Sequence, residues 1–205
     1  MHVTVWFDPG CPWCWNTSRW LESLVTQRSL DIEWRPFSLG LKNMDDNDDV
    51  SEQHQAAGRR NLRLLRLIEA TRRAGHDDRI GDLYTELGRH IHHDDDPDVD
   101  PALAVGAIGL DPGLAQGTED GTLDLVIRAS MAEALALAGD DSGVPIVAFG
   151  SGPDRVGFFG PILTEVPTGA AAGALFDSLV GVATVPGFVE LKRRRDRGPA
   201  APERP

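Results

Sequence analysis

The chain changes its hydrophobic period five times. Residues 2–7, HVTVWF, alternate in the manner of a strand, and DPG at 8–10 reads as a turn. Pro12 suits the first position of a helix, where its missing N–H costs nothing. From 13 to 28, WCWNTSRWLESLVTQR, apolar residues recur three and four apart and predict that helix. LDIEWRPFSL (30–39) reads as a second strand. The opening unit is strand, helix, strand.

Between 44 and 140 the alternation disappears. Leu62, Leu65 and Ile68, then Leu83, Leu87 and Ile91, follow helical spacing. The breaks fall at MDDNDD (44–49), AGHDD (74–78), HDDDPDVDP (93–101), GLDPG (109–113) and GDDSG (139–143), all acidic or Gly/Pro-containing turns. Strand character returns in GVPIVAFG (143–150) and RVGFFG (155–160), joined through SGPD as a hairpin. GAAAGALFDSLVGVA (169–183) predicts a last amphipathic helix, and residues 193–205 have the composition of a disordered tail. The expected organisation is an α/β domain formed by 1–43 and 141–192, interrupted by a helical domain over 44–140.

Composition narrows the function classes. At 205 residues, 41% hydrophobic and 25% charged, the chain can bury a full core as one soluble domain with a large insertion. Its net charge of −12 argues against nucleic acid and anionic membranes as partners. MHVTVWFD lacks the basic and apolar regions of a secretory signal, and no run approaches the roughly eighteen apolar residues of a membrane span. A cytoplasmic location is expected. There, two cysteines are poor candidates for a structural staple.

Those two, Cys11 and Cys14, are the only cysteines, and they flank Pro12 and Trp13 where the first strand gives way to the helix. A thiol at a helix N-terminus is favoured as thiolate by the dipole and the unpaired N–H groups, which makes Cys11 the nucleophile. Cys14, one turn on, can attack a mixed disulfide on Cys11 and resolve it. It should be the more buried. Trp13 holds the position that tunes redox poise. With no imidazole there, thiolate stabilisation should be weaker than in a strong oxidant, which favours a reductase. The rival readings are a zinc half-site completed by histidines of HIHHDDD (90–96), or inert core thiols. His90, His92, His93 and Asp94 to Asp96 could take a divalent metal, but contiguous acids at a helix end read first as a solvated loop. Of five tryptophans, Trp6, Trp20 and Trp34 are expected in the core. Trp13 should present a flat apolar wall beside Cys11, with Trp15 supporting it.

The order of elements, CPWC (11–14) and GVP (143–145) together resemble a thioredoxin-like core with a large helical insertion, the DsbA-like form of that fold. WFDPGCPWCWNTSRW (6–20), LYTELGRHIH (83–92), GFFGPILTEVP (157–167) and FVELKR (188–193) are similar to the actinobacterial mycothiol-dependent reductase and nitroreductase family. The chain departs from it at Gly10, where a bulkier apolar residue is usual. The resemblance implies a cis Pro145, a Val144 backbone that pairs with substrate, and a cleft lined in part by His92. It implies mycothiol or a similar low-molecular-weight thiol as reductant, and a disulfide or aromatic electrophile as substrate. A trans Pro145 opening an edge strand is the alternative. No GxGxxG stands between a strand and a helix, so no bound flavin or nicotinamide is expected. A homodimer fits the reading without being required by it. A kappa-type thiol transferase or isomerase, or a metal- or partner-binding module using the acidic insertion, are the rival functions; Cys14 counts against the first.

Overall fold

The computed structural model describes residues 1–46 and 51–205, without the side chain of Asp46. The first strand, β1 (His2–Phe7), is buried from Val3 onward. It sits inside a four-stranded sheet of order β2-β1-β3-β4. β1 runs parallel to β2 (Asp31–Pro36), from His2 opposite Asp31 to Phe7 opposite Pro36. It runs antiparallel to β3 (Ile146–Phe149), which forms the hairpin with β4 (Val156–Phe159). Pro36 is tolerated because β2 is an edge strand.

The helix expected over 13–28 is two helices, α1 (Pro12–Glu22) and the single turn α2 (Val25–Arg28). The break has a local cause. Ser23 Oγ donates to the Trp20 carbonyl at 2.7 Å, and Leu24 N–H turns back to Leu21, so the i to i−4 ladder stops there. Ser29, at φ 48°, then ends α2 in the left-handed region.

Helices α3 (Leu39–Asp46), α4 (Glu52–Arg73), α5 (Ile80–His92), α6 (Pro101–Ala107), α7 (Leu123–Ala138) and α8 (Gly169–Ala183) follow. The break expected at 44–49 begins inside α3, and its remainder from 47 lies outside the described residues. α3 and α4 cross backbone to backbone: a Cβ on Gly40 would stand 2.7 Å from Gly58 Cα. The boundary expected at 140 does not separate α7 from the sheet. α7 packs against β2 and β4 as well as α4. Its Glu133 takes Arg35 from β2 at 2.7 Å and Arg155 from beside β4.

One continuous core joins the sheet to the helices. Its hinge is aromatic: Phe7 of β1 stacks on Tyr84 of α5 at 4.0 Å, and Trp34 and Trp15 meet Tyr84 edge-on at 5.6 and 5.7 Å. Trp6, Trp20 and Trp34 are all buried. Residues 193–205, expected as a disordered tail, contain neither helix nor strand, but they lie against the protein. Ala200 donates to the Thr164 carbonyl at 2.8 Å, and Arg204 holds Asp94 through two N–H groups.

Candidate active site

Cys11 is the N-cap residue of α1, extended at φ −84° and ψ 113°. An N-cap side chain ordinarily offers oxygen to the N–H groups of the first turn. Here the side chain is a thiol that makes no capping hydrogen bond. The Cys14 thiol, and after it the N–H groups of Cys14 and Trp13, favour the thiolate form of Cys11. The neighbouring Cys14 thiol is the largest cause holding the Cys11 pKa below its ordinary value, against burial and the negative Asp8, which raise it. Pro12 follows at the first helical position, and the first turn carries no acid to oppose the thiolate.

Cys14 is the more buried of the two, at 1% exposure against 6%. Burial pushes its pKa well up, and the Cys11 thiolate beside it pushes further. Both are free thiols. A thiol of lowered pKa nearer the surface with one of raised pKa behind it is the polarity that attack followed by resolution needs.

Beneath the pair lies Asp8, which reading DPG as a turn did not single out. It is fully buried. Its carboxylate accepts from Gly10 N–H at 3.0 Å, from Leu39 N–H at 2.9 Å and from the Asn61 side chain, while its own backbone N–H is directed at Cys14. Desolvation outweighs these bonds and raises its pKa from 3.8 to about 6. The Asn61 side chain also accounts for Gly10: a Cβ there would fall 2.2 Å from Asn61 Nδ2. The only signal in the sequence was a carboxylate three residues before a cysteine.

The Asp8 shift has a pH consequence. Its folded pKa is raised, so the stability it confers is full below the ordinary value near 4 and is lost as pH rises through about 6. For the reduced protein, Asp8→Asn should gain on wild type by roughly 2–3 kcal/mol in unfolding free energy between pH 4 and pH 8. Denaturant titrations across that range measure it. A difference that does not change with pH would contradict the assignment.

The expected aromatic wall is arranged differently. Trp13 is half-buried, with the Arg195 guanidinium 5.8 Å from its ring centroid. Trp15 is a core residue at 1% exposure, reaching under α5. His92 stacks on it at 5.4 Å, and Arg19 covers its ring at 4.3 Å. Its indole N–H donates to His93 Nε2 at 3.1 Å. His92 in turn donates Nε2–H to the Pro9 carbonyl at 2.9 Å, and burial lowers its pKa to about 4, so it is neutral at physiological pH. His90 faces elsewhere, towards Glu86 and Asp96. The three histidines thus serve different neighbours.

Val144 and Pro145 come from the loop before β3. Cys11 Sγ lies 3.8 Å from the Val144 carbonyl, and the Val144–Pro145 bond is cis. The structure therefore gathers Cys11, Pro12, Trp13, Cys14, Val144 and Pro145 at one end of the sheet, with His92 on the flank and Trp15 behind it.

A four-stranded sheet interrupted by helices, with a CxxC at the N-terminus of α1 facing a Val-Pro loop, defines a DsbA-like thioredoxin-fold thiol–disulfide oxidoreductase. The chain belongs to the Rv2466c-like family, described as mycothiol-dependent nitroreductase Rv2466c, whose model it matches over residues 10–193. It is 30% identical over 196 residues to the uncharacterized protein Rv2286c of Mycobacterium tuberculosis (strain ATCC 25618 / H37Rv), covering 91% of this chain and 79% of that one. Two solved structures share the fold. One is a probable DsbA oxidoreductase, SCO1869, from Streptomyces coelicolor, with TM-score 0.57, 18% identity and coverage of 96% and 94% of the two chains. The other is the cytosolic disulfide reductase DsbM from Pseudomonas aeruginosa, with TM-score 0.60, 12% identity and coverage of 89% and 100%. Among the described residues no helix is long and apolar enough to cross a membrane.

Proposed function

We propose that the protein is a cytoplasmic dithiol reductase in which Cys11 attacks and Cys14 resolves, with mycothiol or a similar small thiol restoring the reduced form. The observation that carries this is the asymmetry of the pair: Cys11 sits in the N-cap with its pKa lowered, and Cys14 is deeper with its pKa raised.

The cycle balances as follows. The Cys11 thiolate attacks one sulfur of a substrate disulfide, forming a mixed disulfide and expelling the other sulfur as thiolate. Cys14 then loses its proton and attacks Cys11 Sγ, releasing the second substrate thiol and leaving the Cys11–Cys14 disulfide. Two molecules of the small thiol return the two electrons and leave as their own disulfide. Protonation of the expelled thiolates accounts for the protons. Aromatic electrophiles, including nitroaromatics of the kind in the family description, are the second substrate class. Val144 and Pro145 stand where an extended reactant bonded to Cys11 would lie, and His92, held neutral, adds no charge to the flank.

The test is the reduction potential of the Cys11–Cys14 couple, equilibrated against thiol buffers and scored by thiol labelling. A value between thioredoxin at about −270 mV and the glutaredoxins at about −200 to −230 mV is expected. A value near DsbA, about −120 mV, would make the protein an oxidant, and failure to form the disulfide would end the redox reading.

A further inference from the structure

The chain beyond the last helix returns across the first turns of α1. Arg195 lies over Trp13, the residue between the two cysteines. Further on, Ala200 is held on both sides: its N–H donates to the Thr164 carbonyl at 2.8 Å, and its carbonyl accepts from Asn16 Nδ2 at 3.1 Å. Asn16 is a buried side chain of α1, and the same amide nitrogen donates to the Leu163 carbonyl at 2.9 Å. At the far end Arg204 clasps Asp94, in the loop after α5, through Nε at 3.2 Å and Nη2 at 2.7 Å. Between these anchors Pro199 and Ala201 face Pro12, Asn16, Ile91 and His92 across a cavity of about 240 Å³.

We propose that residues 193–205 form a strap that limits the size of reactant admitted beside Cys11, so that the substrate class is a small disulfide or electrophile and not a protein disulfide. This rests on the dithiol reading above. The cavity that Pro199 and Ala201 line reaches Pro12, the residue after Cys11, without being lined by either cysteine; it is smaller than the roughly 300–1,000 Å³ of ordinary ligand pockets, so it suits a compact molecule. Its anchors are of two kinds. The buried Asn16 amide keeps both of its hydrogen bonds only while the strap is docked, which favours closure. The Arg204–Asp94 clasp is surface-exposed, and pairs of that kind contribute little individually, so one substitution there can shift the strap without touching the core.

The experiment measures alkylation of Cys11 in the full chain carrying Cys14→Ser, so that Cys11 is the only thiol. The probes are iodoacetamide and fluorescein-5-maleimide. Arg204→Asp should raise the rate with the bulky maleimide about fivefold or more while changing that with iodoacetamide less than twofold. Pro199→Trp, which fills the cavity from the strap side, should slow iodoacetamide. Equal effects on both probes, or none, would overturn the strap as a size filter. The same substitutions with Cys14 present are scored for disulfide formation. Loss of that disulfide in the otherwise unaltered chain would sink the dithiol reading whatever the probe ratio, so the two failures are distinguishable.

Discussion

Replacing Cys11 with serine is expected to abolish disulfide reduction, by at least about a thousandfold, while the fold persists. The hydroxyl that replaces the thiol keeps the N-cap position and can accept from the first-turn N–H groups, which favours folding. It has no thiolate at neutral pH, and thiolate attack is the step that starts the cycle. Cys14→Ser should behave differently. The first half-reaction persists, and without added thiol the protein stays as a mixed disulfide on Cys11, visible as an added mass. Single-turnover reaction with a small aromatic disulfide, followed by mass spectrometry, reads both. Wild-type turnover in either variant would contradict the assigned roles. The deeper position of Cys14 and its raised pKa predict that, as pH falls, resolution begins to slow at a higher pH than attack does.

The second large effect is expected at Trp15, and it is on stability. Trp15 is wedged between α1 and α5 so closely that a Cβ on Gly88 would sit 2.1 Å from its ring. Tyr84 meets it at 5.7 Å, His92 at 5.4 Å, and Arg19 covers its face at 4.3 Å. Trp15→Ala would leave a cavity that two helices cannot close without moving, at a cost of about 3–5 kcal/mol. It would also strand the acceptor nitrogen of His93. Denaturant unfolding of the reduced variant measures the loss. A change below about 1 kcal/mol would instead place Trp15 in the cleft wall. Because Trp15 directly follows Cys14, the variant should also loosen the dithiol turn and speed alkylation of Cys14.

Much of the fold was legible because it is written in short-range periodicity. β1 at 2–7 and α8 at 169–183 coincide with their predicted spans. The DsbA-like class followed from the order of elements and from CPWC and GVP. The elements that were misread depend on competition between local and tertiary bonds. The break after α1 needs Ser23 to claim the Trp20 carbonyl, and apolar spacing does not record that choice. α7 has the same helical period whichever layer it packs on, and it packs on α4 of the insertion and on the sheet alike.

The site divides along the same line. Cys11, Cys14 and Pro12 are close in sequence, and a strand-to-helix junction is enough to place a thiol at a helix N-terminus. Val144 and Pro145 arrive from more than a hundred residues away, and their place rested on resemblance until the sheet paired β1 with β3. Asp8 was hidden because its polarity is ordinary. Only burial among Leu39, Gly10 and Asn61, from three different segments, turns it into a perturbed acid. Residues 193–205 read as a tail by composition, and only contacts with Asn16, Asp94 and Thr164 make them a strap.

The sequence by itself determined the chemistry, because a CxxC at a strand-to-helix junction fixes which sulfur the helix N–H groups reach and which sulfur lies a turn behind. The tertiary structure decided the environment of that chemistry. Desolvation of Asp8, the seating of Trp15 against Gly88 and the docking of Ala200 on Asn16 all depend on which distant segments meet, and no local pattern encodes that.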